Sequence, residues 1–120
     1  FTGGSAQEWL NPLGLSIRPF RPPRRNWQEA AQHLLDYLRN HPATPRNDPP
    51  ALIRFIDDYC SQTEWMMNLG DLKAEILIQE LQATKPKTVL ELGTYCGYSL
   101  LVIASALPPD ALIISIELDA

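Results

Sequence analysis

From Trp27 onward the apolar positions keep a helical rhythm. Trp27, Ala30, Ala31, Leu34, Leu35 and Leu38 recur three and four residues apart, which puts them on one face of an α-helix. Asn26 stands where a helix N-cap belongs, because its side-chain oxygen can accept from an N–H of the first turn. A polar, proline-bearing stretch, residues 41–48, separates this helix from a second one. Pro49 and Pro50 suit the second helix's first turn. Leu52, Ile53, Ile56, Tyr59 and Cys60 form its predicted buried face, leaving Arg54, Asp57 and Asp58 in water. Residues 63–70 (Thr-Glu-Trp-Met-Met-Asn-Leu-Gly) are apolar but aperiodic and read as a loop. Asp71 is the predicted cap of a third helix with Leu72, Ile76, Leu77 and Leu81 inward, closed by Lys85-Pro-Lys87.

The rhythm then shortens. Val89, Leu90 and Leu92 predict a buried strand, residues 97–107 a helix of Leu, Val, Ile and Ala, and Pro108-Pro-Asp110 a turn. Residues 111–116 are apolar at nearly every position, the pattern of a parallel strand covered on both faces. Three helices followed by strand, helix and strand is an α/β order. A crossover through a helix makes the two strands parallel. Two strands do not form a stable sheet alone, so the expectation is the front end of a larger doubly wound domain. Its truncated sheet, left with one face and one edge bare, is expected to make the isolated chain aggregate or stay molten.

Residues 1–26 follow no period. Gly3, Gly4, Pro12, Gly14, Pro19, Pro22 and Pro23 interrupt them, and Arg18, Arg21, Arg24 and Arg25 interleave with the later prolines. The expected organisation is a Pro/Arg-rich tail, 1–26, ahead of an incomplete domain, 27–120. The tail reads either as polyproline II or disorder, or as a basic proline-rich ligand for a partner domain or an acidic membrane surface.

Length and charge narrow this picture. The 120 residues fit one domain. A net charge of −4 points away from a nucleic-acid partner, although residues 1–26 carry +3 and residues 27–120 carry −7. Two cysteines, Cys60 and Cys96, are too few and too far apart for a disulfide framework or a zinc site, and free thiols suit a reducing, cytoplasmic location. No run approaches the ~18 apolar residues of a membrane span, and no signal-peptide pattern opens the chain. Phe1 is not Met, so the expectation is a start further upstream, with any leader or membrane anchor, if there is one, before residue 1.

The candidate chemistry sits in Glu91-Leu-Gly-Thr-Tyr-Cys-Gly97. Gly93 permits a sharp turn at the strand end and close approach of a ligand to the backbone. Gly97 lets the next helix start close to the strand, and that helix's first N–H groups attract a carboxylate or phosphate. Ser99 lies in the same first turn. The Gly-x-x-x-Gly spacing differs from the Gly-x-Gly-x-x-Gly of dinucleotide binders. Glu117 follows the second strand, where a carboxylate accepts from ribose hydroxyls in doubly wound folds. The plainer readings are glycines that only pack a helix and an acid that only solvates a turn. Trp65, Met66, Met67 and Leu69 are core material or a lid over a flat, sulfur-bearing cofactor. Tyr95 and Tyr98 are packing or aromatic walls beside a cationic centre. Cys96 reads as a buried small residue, and His33 and His41 as surface residues.

Together, Ile56-Asp-Asp-Tyr-Cys-Ser-Gln-Thr-Glu-Trp-Met-Met-Asn-Leu-Gly-Asp-Leu-Lys73 and Val89-Leu-Glu-Leu-Gly-Thr-Tyr-Cys-Gly-Tyr-Ser99 closely resemble the catechol O-methyltransferase family, over roughly Trp27 to Ala120. The resemblance implies a Rossmann-like, S-adenosylmethionine-dependent enzyme. Such enzymes methylate one hydroxyl of a catechol whose two oxygens are held by Mg²⁺. It implies that the Leu69 backbone and the Ser99 hydroxyl hold the methionyl carboxylate end, and that Glu91 and Gly93 lie along the methionyl part. It places Tyr95 near the sulfonium, Glu117 on the ribose hydroxyls, and Trp65 and Met67 at the catechol. Leu69 replaces the family's usual Val, and Asp119 its common Asn. The family's Mg²⁺ ligands and catalytic lysine fall after the point matching Ala120. Lys73, Lys85 and Lys87 do not match that lysine, so no catalytic residue and no metal ligand is assigned, and the isolated chain is expected to be inactive. Two alternatives stay open: a methyltransferase for another small hydroxylated aromatic, and a short non-catalytic chain that pairs with a partner protein.

Overall fold

The structure, a computed structural model, describes residues 26–119. The Pro/Arg-rich tail and its boundary with the domain lie outside the described residues, apart from Asn26. The elements run α1 (Trp27–Asn40), α2 (Pro49–Gln62), α3 (Asp71–Thr84), β1 (Thr88–Leu92), α4 (Tyr98–Ala106) and β2 (Leu112–Ile116).

Local chemistry sets the helix starts. Asn26 Oδ1 accepts from the Glu29 N–H at 2.8 Å, as its type and place predict. Asp48 does the same for α2, taking the Ala51 N–H at 3.0 Å, and prolines occupy the first turn. The third helix departs from expectation. Its N-cap is Gly70, at φ +75° and with no side-chain cap, and Asp71 is the first helical residue. There its charge faces the positive end of the helix dipole instead of bonding to it as a cap.

Helix α4 is the centre of the packing. Tyr98 and Val102 are buried with Ala30 and Leu34 of α1, Ile56 and Tyr59 of α2, Met66 of the following loop, and Ala74 of α3. The Tyr98 hydroxyl donates to Asp57 Oδ1 at 2.7 Å, so Asp57 is half-buried and bonded rather than simply wet. Burial pushes its carboxyl above the ordinary value. His41 is also half-buried. Its ring lies 4.9 Å from that of Tyr37 and 5.2 Å from that of Phe55, centroid to centroid, which corrects its reading as a surface residue. His33 is half exposed, with its imidazole 3.9 Å from the Glu64 carboxylate.

The burial of α3 differs from the predicted face. Ala74 and Leu81 are buried, with Leu77 and Ile78 packed beside them, while Leu72 and Ile76 are exposed. This helix carries apolar residues on two sides. Periodicity alone does not say which side meets α4; the side with the small Ala74 does, because it allows the closer approach.

The strands pair in parallel, with Thr88 opposite Leu112, Glu91 opposite Ser115 and Leu92 opposite Ile116. Alternate residues point to opposite faces. Val89 and Glu91 of β1 and Ile113 and Ser115 of β2 point to the covered face. Leu90, Leu92, Leu112, Ile114 and Ile116 are exposed. Among the described residues the helices cover one face only, so the other is bare as expected for the front end of a sheet, and the reading of Leu90 and Leu92 as buried is corrected. The arrangement is the helical preface and first β-α-β unit of a Rossmann-like α/β fold.

Candidate functional site

The site is the turn between β1 and α4, closed from the side by the end of β2. Parallel pairing continues one step past the strands, where the Gly93 N–H donates to the Ile116 carbonyl at 2.7 Å. The chain then turns through three residues of positive φ, Gly93 (+91°), Tyr95 (+47°) and Gly97 (+77°). The Gly97 N–H closes the turn on the Thr94 carbonyl at 2.8 Å. A Cβ added at Gly93 or Gly97 would meet nothing within 4 Å. The glycines therefore serve the backbone angle, and the space above them stays open to a ligand. Gly97 caps α4 with no side-chain acceptor, so the first N–H groups of that helix present themselves to an incoming anion.

Two carboxylates converge on this turn from neighbouring strands. Glu91 is the buried acid of β1, 9% exposed. Its Oε1 accepts from the Ser99 hydroxyl at 2.5 Å, and its Oε2 accepts from the Ser115 hydroxyl of β2. Ser115 in turn meets the Thr94 hydroxyl at 2.5 Å. Glu117, immediately after β2, is exposed and held by backbone. It takes the Tyr95 N–H on Oε2 at 2.7 Å, and the N–H groups of Leu118 and Asp119 on Oε1 at 2.8 and 2.9 Å. These amides, that of Asp119 foremost, hold its carboxyl below the ordinary value.

Helix α1 reaches the same place. The Tyr95 hydroxyl donates to the Trp27 carbonyl at 3.2 Å, and Gln28 Nε2 donates to Asp119 Oδ2 at 3.2 Å. Leu69, Tyr95 and Cys96 are half-buried against the common core, which brings the end of the Trp65–Gly70 loop onto the packing that supports the turn. Within that loop the two sequence readings separate by residue. Met66 enters the core, while Trp65 and Met67 stand at the surface. Burial pushes the Cys96 thiol up, and that of Cys60 up to about 11, which makes both poor nucleophiles at neutral pH.

The structure thus gathers Glu91, Gly93, Tyr95, Ser99 and Glu117 at one turn. It also adds Thr94 and Ser115, which the sequence reading missed. The signal for Ser115 was available: it is the one hydroxyl within the apolar run 111–116. Among the described residues, no group of three or more His, Cys, Asp or Glu is placed to hold a metal ion. Among them too, no helix is long and apolar enough to cross a membrane.

Comparison with known proteins gives a family and several relatives. The sequence profile of the O-methyltransferase family matches residues 45–120. The chain is 42% identical over 88 residues to catechol O-methyltransferase of Mus musculus, covering 73% of this chain and 32% of that protein. It is 46% identical over 86 residues to catechol O-methyltransferase B of Danio rerio, covering 72% and 32%. It is 39% identical over 88 residues to transmembrane O-methyltransferase of Homo sapiens, covering 73% and 30%. The chain spans about a third of the length of these curated relatives.

Proposed function

The chain belongs to the O-methyltransferase family, and from that premise we propose that it carries the S-adenosylmethionine-binding part of an enzyme that methylates catechols. The observation that supports this most is the convergence of two fixed carboxylates and an uncapped helix N-terminus on one open glycine turn. S-Adenosylmethionine offers a ribose diol, an α-ammonium, an α-carboxylate and a sulfonium, and the turn has a complement for each. Glu117 keeps one lone pair, on Oε2, for a ribose hydroxyl after accepting its three amides. Glu91 and Gly93 lie along the methionyl part. The N–H groups opening α4, with the Leu69 backbone, receive the carboxylate. The resemblance puts the Ser99 hydroxyl on the carboxylate end; because Ser99 gives its hydrogen to Glu91 at 2.5 Å, we assign its oxygen instead as an acceptor for the ammonium. Tyr95 stands beside the sulfonium, and the exposed Trp65 and Met67 border the catechol. Bound here, the cofactor supplies the transferable methyl group.

Mg²⁺ belongs to the reading by resemblance only. The described residues present no ligand set that fits it, and no step is assigned to it. No residue of this chain is assigned as catalytic. What these residues do is bind and orient, and holding reactants in line contributes a large share of a transfer's rate.

A second reading is methylation of another small hydroxylated aromatic, since the relatives named transmembrane O-methyltransferase carry no catechol in their name. Their 39% identity is close to the 42% of the mouse catechol enzyme. The test has two arms. Titration calorimetry with S-adenosylhomocysteine should show one-site binding to the complete protein, and no binding at millimolar ligand would refute the cofactor reading. Methyl transfer by the complete protein, compared across catechols and monophenols, should favour catechols; a preference for monophenols would select the second reading.

A further inference from the structure

The hydroxyl groups around Glu91 each own one hydrogen, and that sets a direction. A carboxylate only accepts, so Ser115 donates to Glu91 Oε2. With its hydrogen committed there, Ser115 Oγ is the acceptor in its 2.5 Å contact with Thr94, and Thr94 is the donor. Ser99 donates to the other carboxylate oxygen at 2.5 Å. The relay runs from Thr94 to Ser115 to Glu91, and from Ser99 back to Glu91. It links the turn, β2, β1 and α4 through one buried acid.

We propose that Ser115 is a positioning residue of the cofactor site. With Thr94 behind it, it holds the Glu91 carboxylate in the orientation that receives a cationic amine, the α-ammonium of the cofactor's amino-acid end. The inference rests on the cofactor reading above. Register supports it: Ser115 lies directly opposite Glu91 in the parallel pair, on the covered face. A carboxylate held by one donor can swing about its last torsion. One held at both oxygens from two different elements cannot, and its remaining lone pairs keep fixed directions. That removes a rotamer-ordering cost from binding and is the usual way a second set of contacts sharpens a site. An ammonium gains from this because its bonds to a carboxylate are charge-assisted, whereas a ligand without the amine does not.

The test uses the complete protein with two probes, S-adenosylhomocysteine and its deaminated analogue, by titration calorimetry. The wild-type protein is expected to bind the first more tightly. Ser115→Ala should weaken S-adenosylhomocysteine about five- to tenfold and leave the analogue within about twofold, and Ser115→Thr should restore discrimination. Equal loss for both probes, or no loss for either, overturns the proposal. If the wild type binds neither probe, the cofactor reading falls and the proposal with it. If Ser115→Ala does not fold, Thr94→Val reports on the same relay from the turn and should show a smaller loss confined to the amine-bearing probe; an unchanged affinity overturns the proposal there too.

Discussion

The Tyr95 N–H donates to Glu117 Oε2 at 2.7 Å, joining residues 22 apart. The residue after β2 thereby closes the turn after β1. Tyr95 sits at φ +47°, a region that costs a non-glycine residue about 1–2 kcal/mol, and the Glu117 bond helps to offset that cost. One carboxylate thus shapes the turn and, in the proposed function, also takes the ribose.

Glu117→Gln should test that double duty. The amide keeps one acceptor oxygen and loses the charge. S-Adenosylhomocysteine affinity should fall about tenfold or more, and the Tyr95 amide should exchange its hydrogen faster by NMR. A variant with unchanged affinity and unchanged exchange would contradict the assignment.

Acid stability should carry opposite contributions from two acids. Glu117 is held low by its amides. Its contribution is complete above its unfolded value of about 4.3 and is lost as pH falls through the lower folded value. Asp57 is held high by burial. Its contribution is complete below its unfolded value of about 3.9 and is lost as pH rises through the higher folded value. In melts from about pH 3 to pH 6, Glu117→Gln should flatten the acid-side loss. Asp57→Asn should gain relative to wild type as pH rises.

Gly93→Ala separates backbone cost from ligand cost. Nothing in the chain lies within 4 Å of the added carbon, so destabilisation should come from the φ of +91° and stay near about 1–2 kcal/mol. Cofactor affinity should drop further than that, because the methyl group occupies the open space above the turn. Equal affinity with reduced stability would place the ligand elsewhere.

Tyr98→Phe removes one oxygen from a residue that is only 2% exposed. Asp57 then loses its hydroxyl partner, at about 1–2 kcal/mol in denaturant unfolding. Adding Asp57→Leu should recover much of that loss, since no polar group is then left unpaired. A double variant no more stable than Tyr98→Phe would show that the pair contributes through packing.

Leu92 and Ile116 face each other across the sheet register, both exposed. Such a bare apolar pair, beside a strand edge that none of the described residues pairs, invites self-association of the isolated chain. Replacing them with Lys and Glu should reduce light scattering in a concentration series and leave the far-UV signal in place. Unchanged scattering would show that association uses another surface.

The helices and the turn were legible because their signals are local. Asn26, Pro49 and Pro50 announce helix starts by residue type, and Gly93 and Gly97 announce positive φ. What escaped depends on partners distant in sequence. Leu72 and Ile76 look as buried as Leu77 until α4 selects a side. Leu90 and Ile114 look like core until the covering helices are seen to occupy one face. Asp57 looks like a wet surface acid until Tyr98, 41 residues later, donates to it. At the site, the acids and glycines were readable from spacing. Ser115 stands out as the one hydroxyl of its apolar run, but its partner does not, because only strand register sets it against Glu91.

The bonds from Tyr95 to the Trp27 carbonyl and from Gln28 to Asp119 bear on how this chain can be cut and recombined. They fasten the first turn of α1 to the loops that follow both strands. A chimera that exchanged α1 for another amphipathic helix could refill the core and keep a backbone carbonyl for Tyr95, yet leave Asp119 without the Gln28 amide. The smallest transplantable unit for ligand recognition therefore starts before Trp27, although every residue proposed to touch the ligand lies at or beyond Trp65.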